Sequence, residues 1–276
     1  MLERSQAVAR FFLSEKGFNI AYNLAWRLYM KWSDLKDALH FRWGLLTALL
    51  TGNKDKAAQM KIMKTVKPYT MVGRSGMYVT YDSVVKAERE NLEGAIVECG
   101  VAQGGSSAMM ALISQLYNSN RHYWLFDTFK GLPAPSERDN HADGIYTSSD
   151  KHASLVAEGF CLGTVQEVEE LLFSKLNLPR EKFTLVEGLF QDTLSNHREK
   201  IGKVSVLRLD GDWYDSTMCC LENLFDNVVP DGVIIMDDYA SVPSCKKATH
   251  DFLDSRGIEV DIKLDDRGGC YFLKPR

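Results

Sequence analysis

Two apolar runs of this chain end in clustered carboxylates. VSVLRLDGDWYDST (204–217) carries Asp210 and Asp212 on either side of Gly211, and GVIIMDDY (232–239) ends with Asp237 and Asp238. Residues i and i+2 of an extended strand share a face. Asp210 and Asp212 therefore repel each other unless something positive joins them, and two more acids on a neighbouring strand add to the repulsion. Converging carboxylates without histidine or cysteine suit a hard divalent cation such as Mg2+. Such an ion lowers the pKa of a bound hydroxyl and orients it, while a nearby carboxylate takes the proton. On this reading Asp210, Asp237 and Asp238 are candidate metal ligands and Asp212 the candidate general base, with Gly211 leaving room for a substrate. The competing use of these acids is helix capping, and Asp215 or Ser216 suits the start of STMCCLENLF. Four acids at two strand ends exceed what capping needs.

A second cluster lies upstream. VECGVAQGGSS (97–107) follows an apolar run and opens a helix; Gly100 and Gly104 let the backbone approach a ligand, and Ser106 lies in the opening turn. A lone glycine-rich turn is weak evidence for a nucleotide site, but Glu98 adds information. It would repel a phosphate and suits a ligand bearing a positive amino group. S-adenosylmethionine has an amino group and a sulfonium and no phosphate. Asp127, closing the run WLFD, is placed to accept hydrogen bonds from ribose hydroxyls. In VEGLFQDTL (186–194), Phe190 and Gln191 are candidates to flank and hydrogen-bond an adenine, and Gly188, at the end of the preceding run, is a further cofactor-site candidate. The bland alternative is that Glu98 and Asp127 cap helices or pair with basic side chains.

The elements that position these residues follow from the apolar pattern. Near-continuous apolar runs at 94–100, 122–129, 182–188, 204–212 and 232–239, separated by helix-length segments, predict a parallel sheet covered on both faces. VDIKLDD and GCYFLK flank an RGG turn too short for a crossover, which predicts an antiparallel hairpin at the sheet edge. The expected fold is α/β, a seven-stranded class I methyltransferase (Rossmann-like) sheet of five parallel strands plus the hairpin. Every candidate site acid falls at a strand's carboxyl end, where open α/β sheets bind ligands. Residues 1–66 read as a helical extension and 67–276 as the methyltransferase domain. In the extension Ala7, Phe11, Phe12, Phe18, Ile20, Leu24, Ala25 and Leu28 recur at roughly helical spacing. We expect that face to pack on the body or on a second subunit; the other reading is an interfacial helix anchored by Trp26, Tyr29 and Trp32.

Bulk properties narrow the partners. The chain has 276 residues and a formal net charge of −4, which gives no sign of polyphosphate binding and argues against nucleic acid. The six cysteines form no CxxC pair, so neither a disulfide framework nor zinc is expected. The N-terminal segment has no long apolar core, and WGLLTALL (43–50) is too short to span a bilayer. A cytoplasmic protein is expected. The polar stretch 133–160 is long for a loop and is expected to act as a lid; His141 and His152 are candidates to touch an acceptor, against the more ordinary reading of each as a solvated loop histidine.

Taken together, YTMVGR (69–74), VECGVAQGGS (97–106), LFDTFKGLP (125–133), EGLFQDTL (187–194), VLRLDGDWYDST (206–217), PDGVIIMDDY (230–239) and KKATHDF (246–252) resemble the TylF-type (macrocin) O-methyltransferases. The resemblance runs from about residue 68 to the C-terminus. It implies S-adenosylmethionine, Mg2+ and a small-molecule sugar acceptor, with Asp210, Asp237 and Asp238 on the metal and Asp212 as base. It further implies that Thr70 and Met71 contribute to the cofactor pocket and that the chain is a homo-oligomer. Catechol-type methyltransferases are similar in the sheet and metal acids but place a lysine near the position of Asp212; aspartate there favours an aliphatic hydroxyl over a phenol. Two other readings compete. LDGDWYDST with a later acidic pair is similar to a haloacid-dehalogenase phosphatase motif, but here it follows the fourth strand. A non-catalytic binding module would be expected to have lost part of the acidic set, and none of it is missing.

Overall fold

In a computed structural model of the chain, residues 15–139, 159 and 161–276 are described, without the side chains of residues 15–30 and 34. The chain divides into two compact units, 1–60 and 61–276.

The first unit is built on α1 (Glu15–Leu50), which ends at a Thr51–Gly52 turn before α2 (Lys54–Val66). The side-chain oxygen of Asn53 accepts from the amide of Lys56 at 3.0 Å and so caps the start of α2. Asp37, Phe41 and Ala48 of α1 are buried. Gly44, on the same side, is needed there, because a Cβ would stand 2.6 Å from the sulfur of Met60. The apolar residues expected to form a packing face between Ala7 and Leu28, and the anchors Trp26 and Tyr29, lie outside the described side chains. Trp32 is exposed. Among the described residues no helix is long and apolar enough to cross a membrane.

The second unit is the expected seven-stranded sheet. Its strands are β1 (Ala95–Cys99), β2 (Tyr123–Asp127), β3 (Phe183–Glu187), β4 (Val204–Leu209), β5 (Val228–Met236), β6 (Lys263–Leu264) and β7 (Cys270–Leu273). They lie in the order β3-β2-β1-β4-β5-β7-β6. The first five are parallel; β7 runs antiparallel to both β5 and β6. Every residue of β1 and β4 is buried, as the unbroken apolar runs require of central parallel strands. Alternation along the strands divides the core. Val97, Cys99, Leu207, Leu209, Ile234 and Met236 join one cluster with residues of α6 (Phe190–Ile201), α7 (Tyr214–Leu224) and α8 (Pro243–Ser255). Ile96, Glu98, Val206 and Arg208 point the other way, where α3 (Arg74–Arg89) and α4 (Gly105–Leu116) pack against each other. The short α5 (Val165–Glu169) opens with a capping box: Thr164 accepts from the Glu167 amide, and the Glu167 carboxylate accepts from the Thr164 amide. All six cysteines are free, four of them buried.

Two boundaries differ from the sequence reading. β5 begins at Val228, not Gly232, because a register shift between Val204 and Val206 of β4 accommodates Pro230 and Asp231. α7 begins at Tyr214, and neither Asp215 nor Ser216 caps it: the Tyr214 amide donates to Asp139 at 2.8 Å, a carboxylate from a distant loop.

Candidate active site

The parallel ladder continues one residue past the strand ends. The amides of Gly100, Gly188, Asp210 and Asp237 donate to Phe126, Asp127, Cys99 and Leu209 respectively, at 2.8 to 3.0 Å. This aligns Gly188, Asp127, Gly100, Asp210 and Asp237 along one carboxyl edge. The strand order reverses between β1 and β4, the crevice where open sheets bind ligands. The backbone is tight at that point. Gly100 has φ +93°, and a Cβ there would lie 1.8 Å from the carbonyl oxygen of Asp210.

Carboxylate oxygens of Asp210, Asp237 and Asp238 come within 4.8 Å of one another. Behind them stands a residue to which the sequence reading gave no role. Arg208 is fully buried; its Nη1 donates to Glu98 at 3.1 Å and to Asp210 at 2.8 Å, and its Nη2 donates to Asp237 at 2.7 Å. Burial opposes its charge, but Asp237, Asp210 and Glu98 outweigh that and raise its pKa. One guanidinium does not balance the acids around it. Burial pushes the Asp237 carboxyl up to about 6, with Asp210 adding to the effect. Burial, then the charges of Asp210 and Asp237, push Asp212 up to about 8. Asp238 is raised by burial and by Asp212 and Asp210. One of its oxygens, Oδ2, is buried with no hydrogen-bond partner among the described residues. An orphaned buried carboxylate oxygen beside two further carboxylates fits a hard cation, which prefers oxygen ligands.

Asp212 is held in an unusual conformation. Its φ is +56°, and the Trp213 amide donates across it to the Gly211 carbonyl at 2.6 Å. A three-residue turn of this hand is strained, and such strain concentrates at functional sites. Gly211 has little space beside it: a Cβ would be 3.0 Å from the Phe190 ring and 3.1 Å from Ser216.

A cleft of about 580 Å³ opens in front of this edge. Of the residues singled out in the sequence, Met71, Gly100, Asp127, Phe190, Gln191, Asp210 and Asp212 line it. Thr70, Glu98, Gly104, Ser106, Gly188, Asp237 and Asp238 are not in its wall; the Thr70 and Ser106 hydroxyls meet at 3.3 Å, and Gly105 lets the Tyr69–Thr70 backbone lie against the start of α4, where a Cβ would stand 2.4 Å from the Tyr69 oxygen. Gly104 (φ +82°) opens α4. Asp127 already accepts from the amides of Val101 (2.6 Å), Ala102 (3.0 Å) and Phe129 (2.7 Å). It thereby ties the glycine-rich loop to β2 and keeps only part of its acceptor capacity for a ligand.

Glu98 is completely buried, accepting from the Ser107 hydroxyl and from Arg208. Burial pushes its carboxyl up to about 7 despite Arg208 and Ser107. The expected pairing of Glu98 with a cofactor amino group would require these bonds to open. His141, His152 and most of the expected lid lie outside the described residues.

The sequence reading also overlooked the far wall. Asp139 is buried; one of its oxygens accepts from the Ser136 amide and hydroxyl, and the other holds the start of α7. The Trp213 indole donates to the Pro133 carbonyl at 2.9 Å. With the Arg138 guanidinium donating to Asp215 at 3.1 Å, three bonds fasten the 133–139 loop to the start of α7.

Comparison with known proteins identifies the family and agrees with the fold. The family profile described as macrocin O-methyltransferase (TylF) matches residues 48–274. The chain is 32% identical over 205 residues to the 8-demethyl-8-(2,3-dimethoxy-alpha-L-rhamnosyl)-tetracenomycin-C 4'-O-methyltransferase of Streptomyces olivaceus, covering 74% of this chain and 75% of that protein. It is 30% identical over 207 residues to the mycinamicin III 3''-O-methyltransferase of Micromonospora griseorubida, covering 75% and 78%. Among solved structures, the O-methyltransferase NovP superposes with a TM-score of 0.66 at 31% identity, covering 75% of this chain and 83% of NovP. The phosphatase and the non-catalytic readings give way to these matches: the chain belongs to the macrocin O-methyltransferase (TylF) family and is an O-methyltransferase.

Proposed function

We propose that the chain transfers the methyl group of S-adenosylmethionine to a hydroxyl of a sugar or similar aliphatic alcohol, with Asp210, Asp237 and Asp238 holding Mg2+ and Asp212 acting as general base. The observation that carries this reading is the convergence of the three carboxylates within 4.8 Å, with a buried Asp238 oxygen that has no hydrogen-bond partner among the described residues. The ion, when bound, supplies the positive charge that stabilises an acceptor oxygen as its proton leaves.

The chain's own residues do the rest. Arg208 fixes Asp210 and Asp237 from behind, so both carboxylates are oriented before any ligand arrives. Asp212, two residues from Asp210 at the same edge, takes the hydroxyl proton as general base in this reading. Gly100, Gly104, Gly188, Thr70, Met71 and Ser106 form the cofactor side in this reading, Asp127 offers its remaining acceptor capacity to the ribose, and Phe190 and Gln191 flank the adenine. The names of the two curated relatives support a glycosidic acceptor, since one acts on a rhamnosyl tetracenomycin and the other on mycinamicin III.

The test is a methyl-transfer screen over nucleotide sugars, glycolipids and glycosylated natural products, with and without Mg2+. The reading expects methylation of a glycosyl hydroxyl that depends on the ion. Transfer to phenols alone, or transfer indifferent to a chelator, would refute it.

A further inference from the structure

Helix α1 carries an apolar stripe that the proposed reaction does not use. Trp32, Leu35, Leu39, Trp43, Leu46 and Leu50 are all exposed, from 46% for Leu46 to 77% for Leu50. Spacings of three, four and seven residues set them along one side of the helix. At about 100° per residue that side lies opposite the buried Asp37, Phe41 and Ala48. The helix is thus apolar on two sides, and folding explains only one. A continuous exposed apolar surface of this kind marks an interaction site.

Its margins indicate the partner. Lys31 and Arg42 lie towards one margin and Lys36 along the other, and all three are exposed. The Lys36 ammonium sits 3.3 Å from the centroid of the Trp32 ring. Among the described side chains of residues 31–50 the sole acid, Asp37, is buried on the opposite side. A second copy of the chain is a poorer occupant: facing this side with its own, it would bring a second set of Lys31, Lys36 and Arg42 to the seam, with no exposed acid among the described side chains of residues 31–50 to pair them. An anionic lipid surface suits every part. The leucines and the two tryptophans enter the boundary between headgroups and acyl chains, and the cations on the margins meet lipid phosphates.

We infer that the Trp32–Leu50 side of α1 is an in-plane membrane-surface helix that holds this methyltransferase on an anionic bilayer.

The experiment is flotation of the full chain with phosphatidylcholine vesicles and with mixed phosphatidylcholine–phosphatidylglycerol vesicles, at low and high salt. Tryptophan fluorescence and light scattering are followed in parallel. Wild type should float with the mixed vesicles and show a blue-shifted emission. W43E/L46E should bind at least about tenfold more weakly while keeping the wild-type unfolding midpoint and cofactor affinity. K31E/K36E should lose the preference for phosphatidylglycerol and serves as the second variant if the first fails to fold. No flotation of wild type overturns the inference, as does flotation unchanged by W43E/L46E. A wild-type dimer that W43E/L46E makes monomeric, without flotation, overturns it in favour of a second copy.

Discussion

Glu98 of β1 and Arg208 of β4 are register partners in adjacent parallel strands, and their fully buried side chains meet at 3.1 Å. The same guanidinium reaches Asp210 and Asp237 at the strand ends. One cation in the sheet interior therefore organises three acids, two of them in the candidate metal set.

Arg208→Met keeps an apolar, strand-compatible side chain and removes that cation. Removing one partner of a buried ion pair costs about 3–5 kcal/mol, because the remaining charges stay desolvated. Denaturant unfolding should show a loss of this size. Combining Arg208→Met with Glu98→Gln should recover part of it, since the two side chains are coupled. A loss within the range of ordinary surface substitutions would mean that the cluster does not rely on Arg208.

Glu98 gives a pH signature. Its carboxyl is pushed up to about 7 in the folded chain, against an ordinary value of 4.5, chiefly by burial. A raised acid stabilises the fold fully below its ordinary value, and that contribution is lost as pH climbs through the folded value. Between about pH 4.5 and 7, Glu98→Gln should therefore gain stability relative to wild type, reaching a difference of about 3 kcal/mol. Unfolding free energies measured across this window check the claim; parallel curves for the two proteins would contradict it.

Asp212 is assigned proton transfer, not cofactor binding. Asp212→Asn is nearly isosteric and tolerates the same positive φ. It should lower kcat by roughly 10²–10⁴ while leaving calorimetric affinity for S-adenosylhomocysteine close to wild type. An equal loss in both quantities would make Asp212 a structural support of the pocket.

Much of this was legible in the sequence. The apolar runs and the short RGG turn gave the parallel sheet and its hairpin, and a carboxyl-edge argument placed Asp127, Asp210 and Asp237 in one row. Arg208 escaped because the pattern VSVLRLDGD was read for its acids. The available signal was a single arginine inside an apolar strand, a residue type almost never fully buried without partners. Asp139 was not legible, since nothing local distinguishes a loop carboxylate that will cap a helix 75 residues away in sequence. The engagement of Glu98 was hidden too. Its partner Arg208 lies 110 residues away in sequence, and only the β1–β4 register brings them together.

The central claim is that three aspartates form a cation site, and titration with Mn2+ followed by the electron paramagnetic resonance of the free ion tests it most directly. The account predicts one site in wild type, displaced by Mg2+ and lost in Asp238→Asn with the fold intact. No binding to wild type, or equal binding to Asp238→Asn, would contradict it.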